Sequence, residues 1–360
     1  MHVFFDPEGQ PFLLSSEMRW DLEPNAFLAR LCVVSGRTTS SRTWRSYAYQ
    51  LADWLSFCDR SGLAWRHATE LNIATFRNLL ASEACPQAAR PLKRGTINHK
   101  LTVISQFYRF AQKQGWIDAL PFEIEAIRVR CRGFVDPGNR ATAPAMGITL
   151  RLAERREDVQ IPPRQDVRRF IKSFRNWRDR LIAESLWLTG MRSSEVCSLP
   201  LNALPEAPGS IERESVAIKI LGKGQKWRAV LFPVRLLRSI DRYVHMERWR
   251  CTRGAANCPA TVFVGRKGQP LKTPAINRVF STNCQRTGLH ISPHVLRHVY
   301  AVERLAYLQD IGAPNPLKTL QLELGHASLT TTERYLHITD RMRSDLLATH
   351  SSFVDRLLEG

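Results

Sequence analysis

The chain of 360 residues has no apolar run long enough to cross a bilayer, which excludes a helical membrane span as its organising feature. Its first residues, Met1 to Gly9, lack a basic segment and carry two acids, Asp6 and Glu8, so they do not read as a secretory signal. Eight cysteines are scattered without a framework, which fits a reducing compartment better than a disulfide-stapled exterior. The closest pair, Cys251 and Cys258, is separated by six residues and has no matching second pair, so a zinc site is not expected. Acids are also scarce: 33 Asp and Glu stand against 52 Lys and Arg, leaving a formal net charge of +19 and a pI near 10.1. A field of that sign points to a polyanionic partner.

What is present gathers toward the C-terminal half. Asn315 to His337 reads as two short helices with a break at Gly325. Asn315 is expected to cap the first with Pro316 in its opening turn, and Thr330 with Glu333 to form a capping box on the second. Tyr335 then falls in the opening turns of the second helix, and His326 in the bend before it. Taken alone, Tyr335 is ordinary packing.

Its company upstream changes that reading. In Ser292-Pro293-His294-Val295-Leu296-Arg297-His298, Ser292 and Pro293 open a helix that carries His294 and Arg297 on one face. In Thr189-Gly190-Met191-Arg192-Ser193-Ser194-Glu195, Gly190 stops one helix and Arg192 stands at the start of the next, where free N–H groups favour an anion. Gly222-Lys223-Gly224-Gln225-Lys226 makes a turn between two alternating runs, Ser215 to Leu221 and Lys226 to Phe232, which together predict a hairpin. Arg192, Lys223, His294, Arg297, His326 and Tyr335 thus supply phosphate donors, a proton donor and an oxygen nucleophile. Such a set needs no metal and no organic cofactor. Glu195 is expected to orient Arg192 or a histidine, a surface ion pair being the alternative; His298 and His337 read as structural.

The order Thr-Gly-Met-Arg-x-x-Glu, Gly-Lys-Gly-x-Lys, His-x-x-Arg-His, Leu-Gly-His and Tyr-x-His resembles the tyrosine recombinases, the phage integrases and Xer-type enzymes, over roughly the C-terminal half of the chain. The resemblance implies a mainly α fold with a small β-sheet: a helical core-binding domain followed by an α+β catalytic domain. It implies that Tyr335 attacks a DNA phosphorus to leave a 3′-phosphotyrosine and a 5′-hydroxyl. It further implies that Arg192 and Arg297 hold the non-bridging oxygens, that Lys223 protonates the leaving oxygen, and that His294 and His326 assist at the phosphoryl group and the tyrosine. The implied partner is double-stranded DNA with specific sites, two of them held by a homotetramer, with accessory proteins an option. No membrane is involved, and the implied place is the cytoplasm, on the nucleoid when DNA is bound. Integration, excision or transposition of a mobile element is the implied task; a type IB-like topoisomerase, a Xer-type resolution enzyme and a non-catalytic DNA-binding protein are the alternatives.

Four segments follow from punctuation and periodicity. Residues 1–20 read as a strand-turn-strand about Asp6-Pro7-Glu8-Gly9, and 21–123 as a helical domain with helices from Ser40 to Cys58, Thr69 to Ser82 and Thr96 to Gln114. Arg42, Arg45, Lys93, Arg94, Lys100, Arg109 and Lys113 on their outer faces are candidates to track phosphates. Residues 124–160, rich in arginine, glycine and proline, read as a basic linker. Residues 161–360 read as the catalytic domain, with helices at Asp166 to Phe174, Asp179 to Leu188, Val234 to Arg250 and Thr273 to Thr287. Its tail helix, from Asp340 to Leu358, packs either on its own domain or on a neighbouring protomer.

Overall fold

The structure, a computed structural model, describes residues 1–34, 40–82, 91–127, 145–153, 160–222, 224, 226–254, 258–326 and 328–342. The chain divides into two compact units, Met1–Glu157 and Asp158–Gly360. Both are mainly helical with small two-stranded sheets.

The first unit opens with an antiparallel hairpin of β1 (His2–Phe5) and β2 (Pro11–Leu14). Asp6 closes its turn by accepting the Gln10 N–H at 2.7 Å. A helix then follows that periodicity does not foretell, α1 (Leu22–Ala29). Its Asn25 is buried and bonds both the N–H and the carbonyl of Leu13, at 2.7 and 2.8 Å, tying the hairpin to the helix. The expected helices form as α2 (Ser41–Arg60), α3 (Glu70–Ala81) and α4 (Arg94–Lys113). Leu51, Trp54, Leu55 and Cys58 recur at three- and four-residue steps on α2 and meet Ile97, Leu101, Ile104 and Tyr108 of α4, with Phe76 of α3 closing the core. Each fully buried Leu, Ile or Phe here contributes about 1.5–3 kcal/mol.

Two expectations for this unit need correction. Lys100 is not on an outer face but is buried and paired with Asp53, whereas Arg94 is exposed as expected and donates to the Ala153 carbonyl at 3.0 Å. The stretch read as linker begins and ends in structure, because β3 (Ile124–Ile127) pairs antiparallel with β4 (Ala145–Ile148). Beyond β4, Leu150 enters the first unit's core and Leu152 bonds Asn98.

The second unit is built on α6 (Trp177–Thr189), preceded by α5 (Arg164–Lys172) and followed by the single-turn helix α7 (Ser193–Cys197). Strands β5 (Ser215–Leu221) and β6 (Trp227–Pro233) pair from Ser215 opposite Pro233 to Leu221 opposite Trp227, and the Gly222 N–H donates to the Lys226 carbonyl at 2.8 Å to close the turn. The long helix expected from Val234 runs as α8 (Val234–Tyr243), a widened π turn at Val244–Arg248 and α9 (Trp249–Thr252). Next come α10 (Thr273–Thr287) and α11 (Pro293–Asp310), then α12 (Pro316–Leu324) and α13 (Thr330–Met342). Phe170, Leu186, Met191, Ile218, Phe232, Ile240, Phe280 and Leu296 are among the residues of the main core. A smaller cluster of Ala301, Val302, Leu305, Leu320 and Leu324 surrounds Tyr335.

The caps around α12 and α13 differ from the sequence reading. Asn315 precedes α12 in the left-handed conformation at φ 51°, without a side-chain cap bond. Leu329, not Thr330, caps α13, since the Glu333 N–H already bonds the Leu329 carbonyl at 2.9 Å. The tail helix expected from Asp340 has its first three residues within α13, and the rest of it, beyond Met342, lies outside the described residues.

Candidate active site

Two glycines bring the site together. Gly190 ends α6 in the left-handed conformation (φ 63°), where a Cβ would lie 2.3 Å from the Tyr300 ring. Gly325 ends α12 likewise, and a Cβ there would lie 2.6 Å from Cδ of Arg228. Because neither carries a side chain, the ends of α6 and α12 converge on the start of α11. Arg297, 2% exposed, occupies that junction and donates to the carbonyls of Gly190 and Leu324, the latter at 2.6 Å.

Arg192 lies at the cap of α7 and donates to Gly325 O at 3.1 Å and to Glu195 Oε1 at 2.9 Å. Glu195 is 3% exposed, which rules out the surface ion pair considered for it. Its Oε2 also accepts the Arg192 N–H at 2.7 Å and Nη2 of Arg228 at 2.8 Å. Arg228 reaches across to the Glu323 carbonyl. Burial pushes the Glu195 carboxyl up, but Arg228 and then Arg192 outweigh it and hold it below the usual range. Sequence reasoning passed over Arg228. The signal was there: alternation along β6 puts it on the same face as the buried Val230 and Phe232, an uncommon place for an arginine.

Tyr335 is buried, with its hydroxyl 2.7 Å from Nδ1 of His298. The His298 ring meets the His294 ring edge-on at 4.1 Å between centroids. His326 stacks near Tyr335 at 6.3 Å and 19°, its Nδ1 2.9 Å from the hydroxyl of the buried Thr332. Loss of hydration lowers the pKa of all three imidazoles, and neighbouring arginines lower it further. His298 falls to about 3, His326 to about 4, and His294, exposed at its outer edge, is lowered as well. Arg297 drops to about 9 through burial and then Arg192 and Arg228. Burial raises the Tyr335 phenol, against the opposing pull of Arg297, Arg334 and Arg192.

Arg192, His326, Arg228, Lys226, Gly222 and Gly224 line one cleft of about 940 Å³. Lys223 lies outside the described residues, and the side chain of His337 is likewise not described. Of the residues singled out, Arg192, Glu195, Arg297, His294, His326 and Tyr335 therefore gather at the ends of α6, α11, α12 and α13. His298, read from sequence as structural, makes the direct contact with the Tyr335 hydroxyl. No group of three or more metal-ligating side chains occurs among the described residues. The arrangement offers guanidinium forks for an anion beside a phenol in contact with a neutral imidazole, a set suited to phosphoryl chemistry.

Comparison with known proteins agrees. Residues 163–342 match the phage integrase family, and residues 25–115 match the phage integrase N-terminal SAM-like domain. The tyrosine recombinase XerC of Bacillus subtilis is 27% identical over 263 residues, covering 72% of this chain and 75% of its own length. The XerC of Staphylococcus epidermidis is 28% identical over 322 residues, covering 87% and 93%. Among solved structures, the XerH site-specific recombinase bound to a palindromic difH substrate superposes with a TM-score of 0.61 at 18% identity, covering 93% of this chain and 84% of that one. Lambda integrase (75–356), as a dimer on a COC′ core site, gives 0.55 at 17% identity, covering 86% and 94%. The chain belongs to the phage integrase family, whose tyrosine recombinases cut and rejoin DNA at specific sites.

Proposed function

We propose that this chain recombines double-stranded DNA at specific sites through a covalent 3′-phosphotyrosine on Tyr335, in the integration, excision or transposition of a mobile element. The observation that carries the reading is the Tyr335 hydroxyl held at 2.7 Å by an imidazole within the field of Arg192 and Arg297. Attack by the phenol oxygen breaks the bond from phosphorus to the 5′ oxygen and preserves a phosphodiester-like linkage, so resealing needs no nucleotide cofactor. Arg192 and Arg297 stabilise charge on the non-bridging oxygens; loss of one such donor typically costs on the order of 10²–10³ in rate. Lys223, between two glycines that line the cleft, protonates the leaving oxygen. His294 and His326 bond the phosphoryl group, and Glu195 sets the Arg192 fork. The similarity to XerC recombinases supports a second reading, resolution of joined chromosomes, with the same chemistry.

Strand exchange requires two sites held together, which a homotetramer supplies, and accessory proteins then set direction. The test uses nicked DNA carrying a bound site, so that the short fragment diffuses away and traps the covalent species. Peptide mapping should locate the adduct on Tyr335. Tyr335→Phe should abolish it without weakening DNA binding, because one oxygen has gone and the ring remains. With two sites, four protomers and recombinant products are expected. Efficient relaxation of any supercoiled plasmid by a monomer, without recombinants, would sink recombination in favour of topoisomerase action.

A further inference from the structure

His298 lies in the second turn of α11, one turn after His294 and next to Arg297, and is 6% exposed. A core histidine ordinarily spends its ring nitrogens on backbone carbonyls or inert hydroxyls. This one sits 2.7 Å from the hydroxyl that the proposed function makes the nucleophile. The other two imidazoles are engaged differently, His326 with Thr332 Oγ1 at 2.9 Å and His294 edge-on against His298. We infer that His298 is the catalytic base that takes the phenolic proton as Tyr335 attacks, a role that rests on the nucleophile assignment above.

The step balances. As the bond from Oη to phosphorus forms, the Oη–H bond breaks and its proton passes to Nδ1, the ring already holding its other proton on Nε2. The electron pair left on Oη makes the new bond, the bond from phosphorus to the 5′ oxygen breaks, and its pair leaves with that oxygen, which receives a proton from the acid of the site. On resealing, His298 returns its proton to the tyrosine.

The surroundings make this base conditional on substrate. The groups that bear on His298 are His294 and Arg297 on its own helix, Arg334 and Tyr335 on α13, and His326 in the loop before it. None is an acid. Burial and this set hold the imidazole neutral and weakly basic, while burial keeps the phenol protonated. A phosphodiester anion against Arg192 and Arg297 cancels part of the cationic field and favours the imidazolium. Proton transfer from the phenol to His298 is therefore favoured by DNA in the site.

The test follows single-turnover cleavage by the full chain across pH, on a short nicked duplex selected from a randomised pool by binding. His298→Asn should bind that duplex as the wild type does. It should cleave about 10²–10⁴-fold more slowly at neutral pH, and its rate should climb with pH as hydroxide replaces the missing base. A wild-type rate, or a loss of the same factor at every pH, overturns the role. If His298→Asn does not fold, nitrogen spectra of labelled histidine in the wild type and Tyr335→Phe decide. An unprotonated Nδ1 that shifts when the hydroxyl is removed supports the base, and a protonated Nδ1 overturns it. Absence of any Tyr335 adduct in the wild type overturns the nucleophile and this role together. An adduct with a pH-blind His298→Asn overturns this role alone.

Discussion

A single buried carboxylate, Glu195, faces two guanidiniums. Its folded pKa is depressed, so the native state binds fewer protons than the unfolded chain at mildly acid pH. The stability it supplies is complete above the ordinary glutamate pKa and is lost as pH falls through the folded value. Glu195→Gln should destabilise the protein by about 3–5 kcal/mol at neutral pH, because Arg228 and Arg192 lose their counter-charge in a buried setting. Urea melts at a series of pH values check this: the gap between wild type and variant should begin to narrow as pH falls below the ordinary glutamate value of about 4.3, and close as pH passes the lower folded value. A constant gap would remove the ionised carboxylate from the account. The pairing of Glu195 with Arg192 was legible in the spacing of three residues. The alternation of β6 marks Arg228 only as a charge on an inward face, and nothing local marks His298, because each acquires its role from a partner far along the chain, Glu195 at 33 residues and Tyr335 at 37. Local pattern carries no information at that range.

Elements with a long apolar stripe were readable, and α2, α4 and α10 run close to where periodicity puts them. Helix α1 was not, since Pro24 and Asn25 look like turn residues until Asn25 is seen bonding the backbone of Leu13. Strands β3 and β4 escaped because each is only four residues long and finds its partner across seventeen intervening residues. The left-handed glycines gave true helix ends at Gly190, Gly288 and Gly325, but only Gly190 and Gly325 are crowded. That contrast makes a prediction about the α12 terminus. Gly288→Ala should cost about 1 kcal/mol, from backbone strain alone. Gly325→Ala should cost about 1–3 kcal/mol and also slow cleavage, because the methyl group displaces Arg228 from Glu195. Equal cleavage rates for the two variants would show that Arg228 tolerates the shift.

At the scale of the whole chain, each unit has its own core, and the described cluster of the second unit runs from Ile161 to Val299 with the Tyr335 cluster beyond it. A fragment beginning at Asp158 is expected to fold on its own. It should bind DNA more weakly than the full chain and with a shallower dependence on salt, since each lost phosphate contact removes about 0.9 from the slope of log affinity against log salt. Equal affinities and slopes would remove residues 1–157 from the DNA interface. The charge of +19 alone cannot decide the matter, because Lys100, Arg94 and Arg45 show that basic residues of the first unit are engaged with Asp53, the Ala153 carbonyl and the Phe5 ring.

The seat of Arg297 has a practical consequence for anyone wanting a silent protein to freeze on its target. Its guanidinium ties together the trailing ends of two helices from inside the third, at Gly190 and Leu324. Replacing it would loosen the scaffold as well as remove a phosphate donor, and a failed reaction would then not separate the two effects. Tyr335 offers the cleaner switch, since its ring fills the apolar pocket and only its oxygen is spent on the reaction. A decoy should be disarmed at the phenol, with every arginine left in place.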